Sequence, residues 1–141
     1  MVGISEVTVL EMPTLVDPRC KVKNFFDNFG SWAPIDDLFS AASVWIEPGS
    51  SSISGRYRGP ESIFKLCKEI LARSQGTFRI VEVIEIVAGE RYVLAVIDVE
   101  GSCEGRLIRT RDTIVFQFED NKAIEVKVYS EDQSAVDAFW D

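Results

Sequence analysis

The chemistry open to this chain is bounded first by what it lacks. It contains no histidine. That removes Ser-His-Asp triads, Cys-His dyads and the usual imidazole-rich metal sites. Acid–base work then falls to carboxylates, Lys, Tyr, Cys or water. The best placed candidate is Glu47, inside the stretch SVWIEPGSSSISGRYRG at positions 43–59. Val44, Trp45 and Ile46 are strand formers, and Pro48 ends the strand just after Glu47. A Ser-rich loop and a Gly-punctuated turn then lead into a helix at Pro60. Cys20, Cys67 and Cys103 match no zinc or redox spacing. They read as free thiols of a reducing, cytoplasmic compartment, and no metal is expected.

The elements that must position Glu47 come from a chain of one-domain size. It has 141 residues, 46% of them hydrophobic, enough to bury a core without staples. The formal charge is −8 with no long block of one sign. A net acidic surface repels phosphate backbones and anionic lipid, so no nucleic acid and no membrane partner is expected. No apolar run approaches the ~20 residues of a membrane span. The N-terminus shows no charged region ahead of an apolar core, so no signal peptide is expected.

Residues 1–20 alternate loosely, with Val7 and Val9 against Glu6 and Thr8, and reach Pro13 and Pro18. They read as an N-terminal extension: an arm, an edge strand or a disordered lead. From position 21, Val22, Phe25, Phe26 and Phe29 mark one helix face, with Gly30 as its stop. Ile35, Leu38, Phe39 and Ala42 repeat that spacing and predict a second short helix, with Asp36 and Asp37 in its first turn. Ile63, Leu66, Cys67, Ile70 and Leu71 stripe a third helix, closed by Gly76. Four β-rich runs follow at 77–87, 91–100, 106–118 and 123–130. Their short connections predict antiparallel pairing in order. Val136, Phe139 and Trp140 predict a short final helix. The pattern is α+β: N-terminal helices packed on one face of a curved antiparallel sheet, in a single domain at 21–141.

This order, with the motifs VWIEPGSSSISGRYRG, GTFRI, DTIVFQFEDNKAIEV and SEDQSAVDAFWD, resembles the NTF2-like cone. Within it the chain looks most like the SnoaL-like branch, whose relatives include ketosteroid isomerases, limonene epoxide hydrolase and polyketide cyclases. The resemblance covers residues 21–141. It implies a cavity at the open end of the cone, lined by alternate strand residues and by the first and third helices. It also implies no cofactor, a homodimer formed through the outer sheet face, and chemistry on small apolar molecules. In the ketosteroid isomerases the general base is an acid directly before a proline at the end of the first strand, and Glu47 before Pro48 matches it. The isomerase oxyanion hole does not carry over. Its acid aligns with Ile114 and its tyrosine with the neighbourhood of Lys23, so steroid isomerisation is not expected. Ile46 stands where many SnoaL-like chains carry a histidine.

If Ile114 points into the cone, alternation turns Ile108, Thr110, Asp112 and Phe116 inward too. The same alignment turns Ala95, Ile97, Val99, Val126 and Val128 inward and Asp98, Glu100, Glu125 and Lys127 outward. Asp112 is then a charge on an apolar wall. Paired with Glu47, it gives an acid and a base: two carboxyls in one apolar cavity repel, so one holds a proton while the other is ionised. The competing reading ties Asp112 to Arg109, Arg111 or Arg58 as a structural ion pair. Trp45, Tyr57, Leu66, Ile97, Thr110, Ile114, Phe116, Val126 and Val128 form the candidate substrate wall, with the Tyr57 hydroxyl able to orient a substrate oxygen. Lys23, if inward, pairs with Glu47. Phe139 and Trp140 are candidates for a lid.

Three functions follow. One is a cofactor-independent isomerase, cyclase or dehydratase acting on a small hydrophobic natural product. Another is a non-catalytic ligand-binding protein with the same cavity. The third is a protein-interaction domain, which needs an exposed apolar patch.

Overall fold

The computed structural model describes residues 16–141. The alternation around Val7 and Val9, and the arm or edge strand it suggested, lie outside the described residues. Helix α1 (Pro18–Asp27) starts three residues ahead of the predicted period. Pro18 sits in its first turn, where a missing N–H costs nothing, and the Asp17 carboxylate caps it by accepting from the Arg19 N–H at 2.9 Å. Val22, Phe25 and Phe26 are buried.

Helix α2 (Trp32–Leu38) is displaced from its expected position. Phe39 and Ala42, read as helical, belong to strand β1 (Phe39–Glu47). Phe39 takes extended backbone. Strand β1 then bulges: five steps from Phe39 to Val44 oppose two from Ala123 to Glu125. The Ser43 hydroxyl bridges the bulge by donating to the Ala123 carbonyl. The bulge imitates helical spacing in the sequence. Asp36 and Asp37 consequently lie in the last turn of α2, not the first. Their carbonyls accept from Lys122 Nζ at 3.2 and 2.7 Å, and buried Lys21 donates to the Asp37 carbonyl at 3.3 Å. Cations at a helix C-terminus oppose its negative dipole end.

Strand β2 (Gly55–Arg58) leads into helix α3 (Gly59–Arg73), which buries Ile63, Leu66, Cys67 and Ile70. Strands β3 (Arg79–Ala88), β4 (Tyr92–Cys103), β5 (Arg106–Glu119) and β6 (Lys122–Ser130) form the expected antiparallel meander, and α4 (Gln133–Trp140) ends the chain. The sheet order is β2-β1-β6-β5-β4-β3. Among the described residues its one parallel pairing is β1 with β6.

Among the described residues four helices thus pack on a curved, mostly antiparallel sheet, as the NTF2-like cone requires. Inside, Phe25 lies 5.4 Å from Phe26, 5.8 Å from Phe39 and 5.8 Å from Trp45, ring centre to ring centre. Phe116 meets Phe26 edge-on at 5.9 Å. Tilted and edge contacts of this kind add to plain area burial. Among the described residues no helix is long and apolar enough to cross a membrane.

Phe25 touches four other rings and is 1% exposed. Phe25→Ala is therefore expected to lower stability by about 3–5 kcal/mol in denaturant unfolding. A loss below about 1 kcal/mol would show that this cluster is not the core.

Candidate functional site

Alternation along β1 turns Trp45 and Glu47 to the concave face of the sheet. There they line a cavity of about 70 Å³ between the sheet, α1, α3 and α4. Phe26 enters it from α1, Phe29 from the turn after α1, Ile70 from α3, and Val136, Phe139 and Trp140 from α4. Asp112 and Thr110 face it from β5.

Glu47 carries one hydrogen bond inside this space: Trp45 Nε1 donates to its Oε1 at 3.0 Å. Burial pushes the Glu47 carboxyl up to about 7; the Trp45 bond opposes the rise and the charge of Asp112 adds to it. Burial likewise pushes Asp112 up to about 6, opposed by the Ser130 hydroxyl and assisted by Glu131. Asp112 Oδ1 is buried with no hydrogen-bond partner among the described residues. The arginines that might have held it are engaged outside. Arg111 pairs with Asp98 at 2.9 Å and Arg109 with Glu100 at 3.5 Å, on the convex face. The β1–β6 register, continued by one residue, sets Glu47 beside Val128, which pairs with Ile114. Asp112 is two residues further along, so the two backbones stand roughly 12 Å apart across the concave face.

Trp45, Glu47, Ile97, Thr110, Asp112, Ile114 and Val128 all line the cavity. Leu66, Phe116 and Val126 do not. They point the same way but lie deeper, buried where Trp45 and the α1 phenylalanines fill the narrow end of the cone. Tyr57 is also absent from the wall: its hydroxyl donates to the Ile53 carbonyl at 2.6 Å and so braces the 48–54 loop. Lys23 is exposed and pairs with Asp27 at 2.6 Å, away from Glu47. The buried Cys67 thiol is pushed up to about 12 by burial and by the charge of Glu47, which leaves it inert. Among the described residues, no group of three or more His, Cys, Asp or Glu could hold a metal ion.

Ile53, Phe78 and Ile80 on the wall escaped the sequence reading. Ile53 is 3% exposed and reaches the cavity from the Ser-rich loop. Its signal was present: it is the single apolar side chain in the run GSSSISG. The serines around it hold the loop in shape. Ser54 Oγ donates to the Pro48 carbonyl at 2.7 Å, and the Ser51 N–H donates to Ser54 Oγ at 2.9 Å. Gly49, at φ +87°, lets this loop lie against α4, because a Cβ there would strike Asp137 and Gln133. At the far end of α4, Arg73 and Ser52 both donate to the Trp140 carbonyl, and Arg106 donates to that of Phe139 at 3.1 Å. Loop and helix together roof the cavity.

Two measurements check this electrostatic picture. Trp45→Phe removes the bond that favours the ionised carboxylate, so the Glu47 pKa should rise further in a carboxyl NMR titration; no change would refute the bond. Both acids also bind protons more tightly folded than unfolded. Folding stability from this pair is therefore fully present near pH 4 and is lost as pH rises towards 7. The double variant E47Q/D112N should flatten that decline relative to the parent, and an unchanged slope would show that the pair does not cause it.

No protein-family model matches the chain, and no curated protein matches it. Solved structures do. A protein of unknown function with a cystatin-like fold from Xanthomonas campestris superposes with a TM-score of 0.81 at 25% identity, over 89% of this chain and 98% of its own. An NTF2-like protein from Burkholderia xenovorans LB400 gives 0.74 at 20% identity, over 91% and 100%. IdmH from Streptomyces antibioticus, a proposed polyketide cyclase, gives 0.67 at 15% identity, over 82% and 93%. With helices on the concave face of a six-stranded sheet and a cavity at its mouth, the chain has the NTF2-like fold, and a proposed SnoaL-like polyketide cyclase from Jannaschia Sp. CCS1 is among the structures that share it.

Proposed function

We propose that this protein is a cofactor-independent acid–base enzyme acting on a small hydrophobic molecule held in the cone. Glu47 is the proton-transfer group and Asp112 the second carboxyl. The observation that carries this reading is the carboxyl pair itself: two acids on an otherwise apolar wall, with no arginine or lysine bound to either. A structural carboxylate is normally paired. A Glu47 poised near 7 is half-ionised at neutral pH, where a general base and a general acid are both most effective.

The rest of the wall narrows the reaction. Ile114 offers no donor to a developing oxyanion, so chemistry that leans on a stabilised enolate is poorly served. Dehydration, epoxide opening and proton-shuttled cyclisation need a proton moved at a neutral centre, and a carboxyl pair suits them. The likeness to a proposed polyketide cyclase supports a natural product as substrate. A second copy would pack on the convex sheet face, where Leu94 and Tyr129 are exposed among the outer ion pairs.

The same Ile114 also favours a second reading, a ligand-binding protein without chemistry. Turnover separates the two. A panel of small cyclic epoxides and tertiary alcohols is assayed with the parent protein and with Glu47→Gln. The enzyme reading expects conversion of at least one compound and a loss of about 10²–10⁴-fold in kcat with the glutamine variant. Compounds that bind in the cavity and leave unchanged, or a glutamine variant of parental rate, make the protein a binder.

A further inference from the structure

We infer that the cavity is built for a small organic cation, an apolar molecule of about one ring whose ammonium group sits against Asp112. The inference deepens the reading of this cavity as a substrate site and rests on it.

The charges around the cavity point this way. Both ionisable side chains on its wall are acids. The groups facing them bring no positive charge. Glu47 accepts from the Trp45 indole and couples through its charge to Asp112, Cys67 and Tyr57. Asp112 looks onto the Ser130 hydroxyl, with Glu131 nearby. The neighbouring cations are engaged elsewhere. Arg73 lies 5.6 Å from the centre of the Trp140 ring and binds the Trp140 carbonyl. Arg106 holds the Phe139 carbonyl and Glu104. Lys68 lies over Phe64.

The lining chemistry points the same way. Asp112 Oδ1 is a buried acceptor with nothing to accept from. Such an atom costs free energy that a ligand donor would recover. Six of the wall residues are aromatic: Phe26, Phe29, Trp45, Phe78, Phe139 and Trp140. Ring faces attract a desolvated cation, which a purely aliphatic wall would not do. A neutral alcohol could fill the hydrogen bond of Oδ1 but would leave the paired negative charge unanswered. Without a cationic ligand protons answer it, because burial keeps both acids partly protonated near neutral pH. An ammonium group takes over that task at Asp112, expels a proton and leaves Glu47 as the base. Volume sets the pose: the enclosed space of about 70 Å³ is about half of what a benzene ring occupies in a cavity, so it takes the ammonium end and a few carbons while the ring reaches into the partly open mouth.

The test uses benzylamine and its neutral counterpart benzyl alcohol, titrated calorimetrically into the parent protein at about pH 5.5 and about pH 8, in buffers of different ionisation heat. Alkylamines stay charged across this range, whereas the two acids lose their protons as pH rises through it. The amine should bind at least about tenfold tighter than the alcohol at the higher pH. That advantage should shrink by about fourfold at the lower pH, where proton release should accompany binding. Asp112→Asn should abolish both the advantage and the release. Equal affinities, an advantage that ignores pH, an unchanged advantage in the asparagine variant, or no binding of either compound at millimolar concentration overturns the inference. Glu47-dependent turnover of a neutral compound, with amine and alcohol binding equally, would sink the cation and leave the enzyme standing. Tight amine binding without Glu47-dependent turnover of any compound would do the reverse.

Discussion

The parallel ladder between β1 and β6 is the contact on which the rest of the molecule depends. It ties two segments 80 residues apart, as the Ser43–Ala123 hydrogen bond records. Closing so long a loop costs entropy before any contact rewards it, so the ladder must be supported by what it buries. That support is aromatic. Pairing Trp45 with Val126 brings the indole against Phe25, Phe39 and Phe116, and the helix that carries Phe25 then has a surface to pack on. The same ladder delivers Glu47, two residues on, to the cavity shared with Asp112. Fold and site are thus set by one pairing.

The carboxyl pair works against this economy. Position 112 lies between Thr110 and Ile114 on a face where aliphatic side chains already pack well. A branched hydrocarbon there would avoid the desolvation of a charge and the orphaned Oδ1. The Trp45 indole recovers part of the cost at Glu47, but nothing comparable serves Asp112 beyond the Ser130 hydroxyl. Chains that break a local packing rule without a visible structural gain usually do so where function is housed.

Much of this was legible in the sequence because periodicity reports which face is buried. The meander β3–β6, the stripe of α3 and the short α4 follow directly from apolar spacing. So does the concave face of β5, from Ile108 through Phe116. One stretch was not legible, for a physical reason: a bulge corrupts the period. In β1 the bulge before Val44 made 35–42 look helical. Within the candidate site the sequence gives direction but not depth. It turned Phe116, Val126 and Leu66 towards the interior without telling that they lie beneath the cavity floor. It could not show that Tyr57 spends its hydroxyl on a loop carbonyl, since that bond is fixed by the path of the 48–54 loop.

Bulges have a second effect at the margin of the sheet. Strand β3 is the long edge, and its register slips twice against β4, between Ile80 and Glu82 and between Val83 and Glu85. Ile80, Val83 and Ile86 still reach the core, one at every third residue. Glu82 and Glu85 stand exposed beside them. A straight ten-residue edge rich in Ile and Val would invite another chain to continue the ladder. The slips break the row of free N–H and C=O groups, and the glutamates place like charges where two such edges would meet. The irregularity that bends the cone therefore also keeps concentrated protein from growing into ribbons.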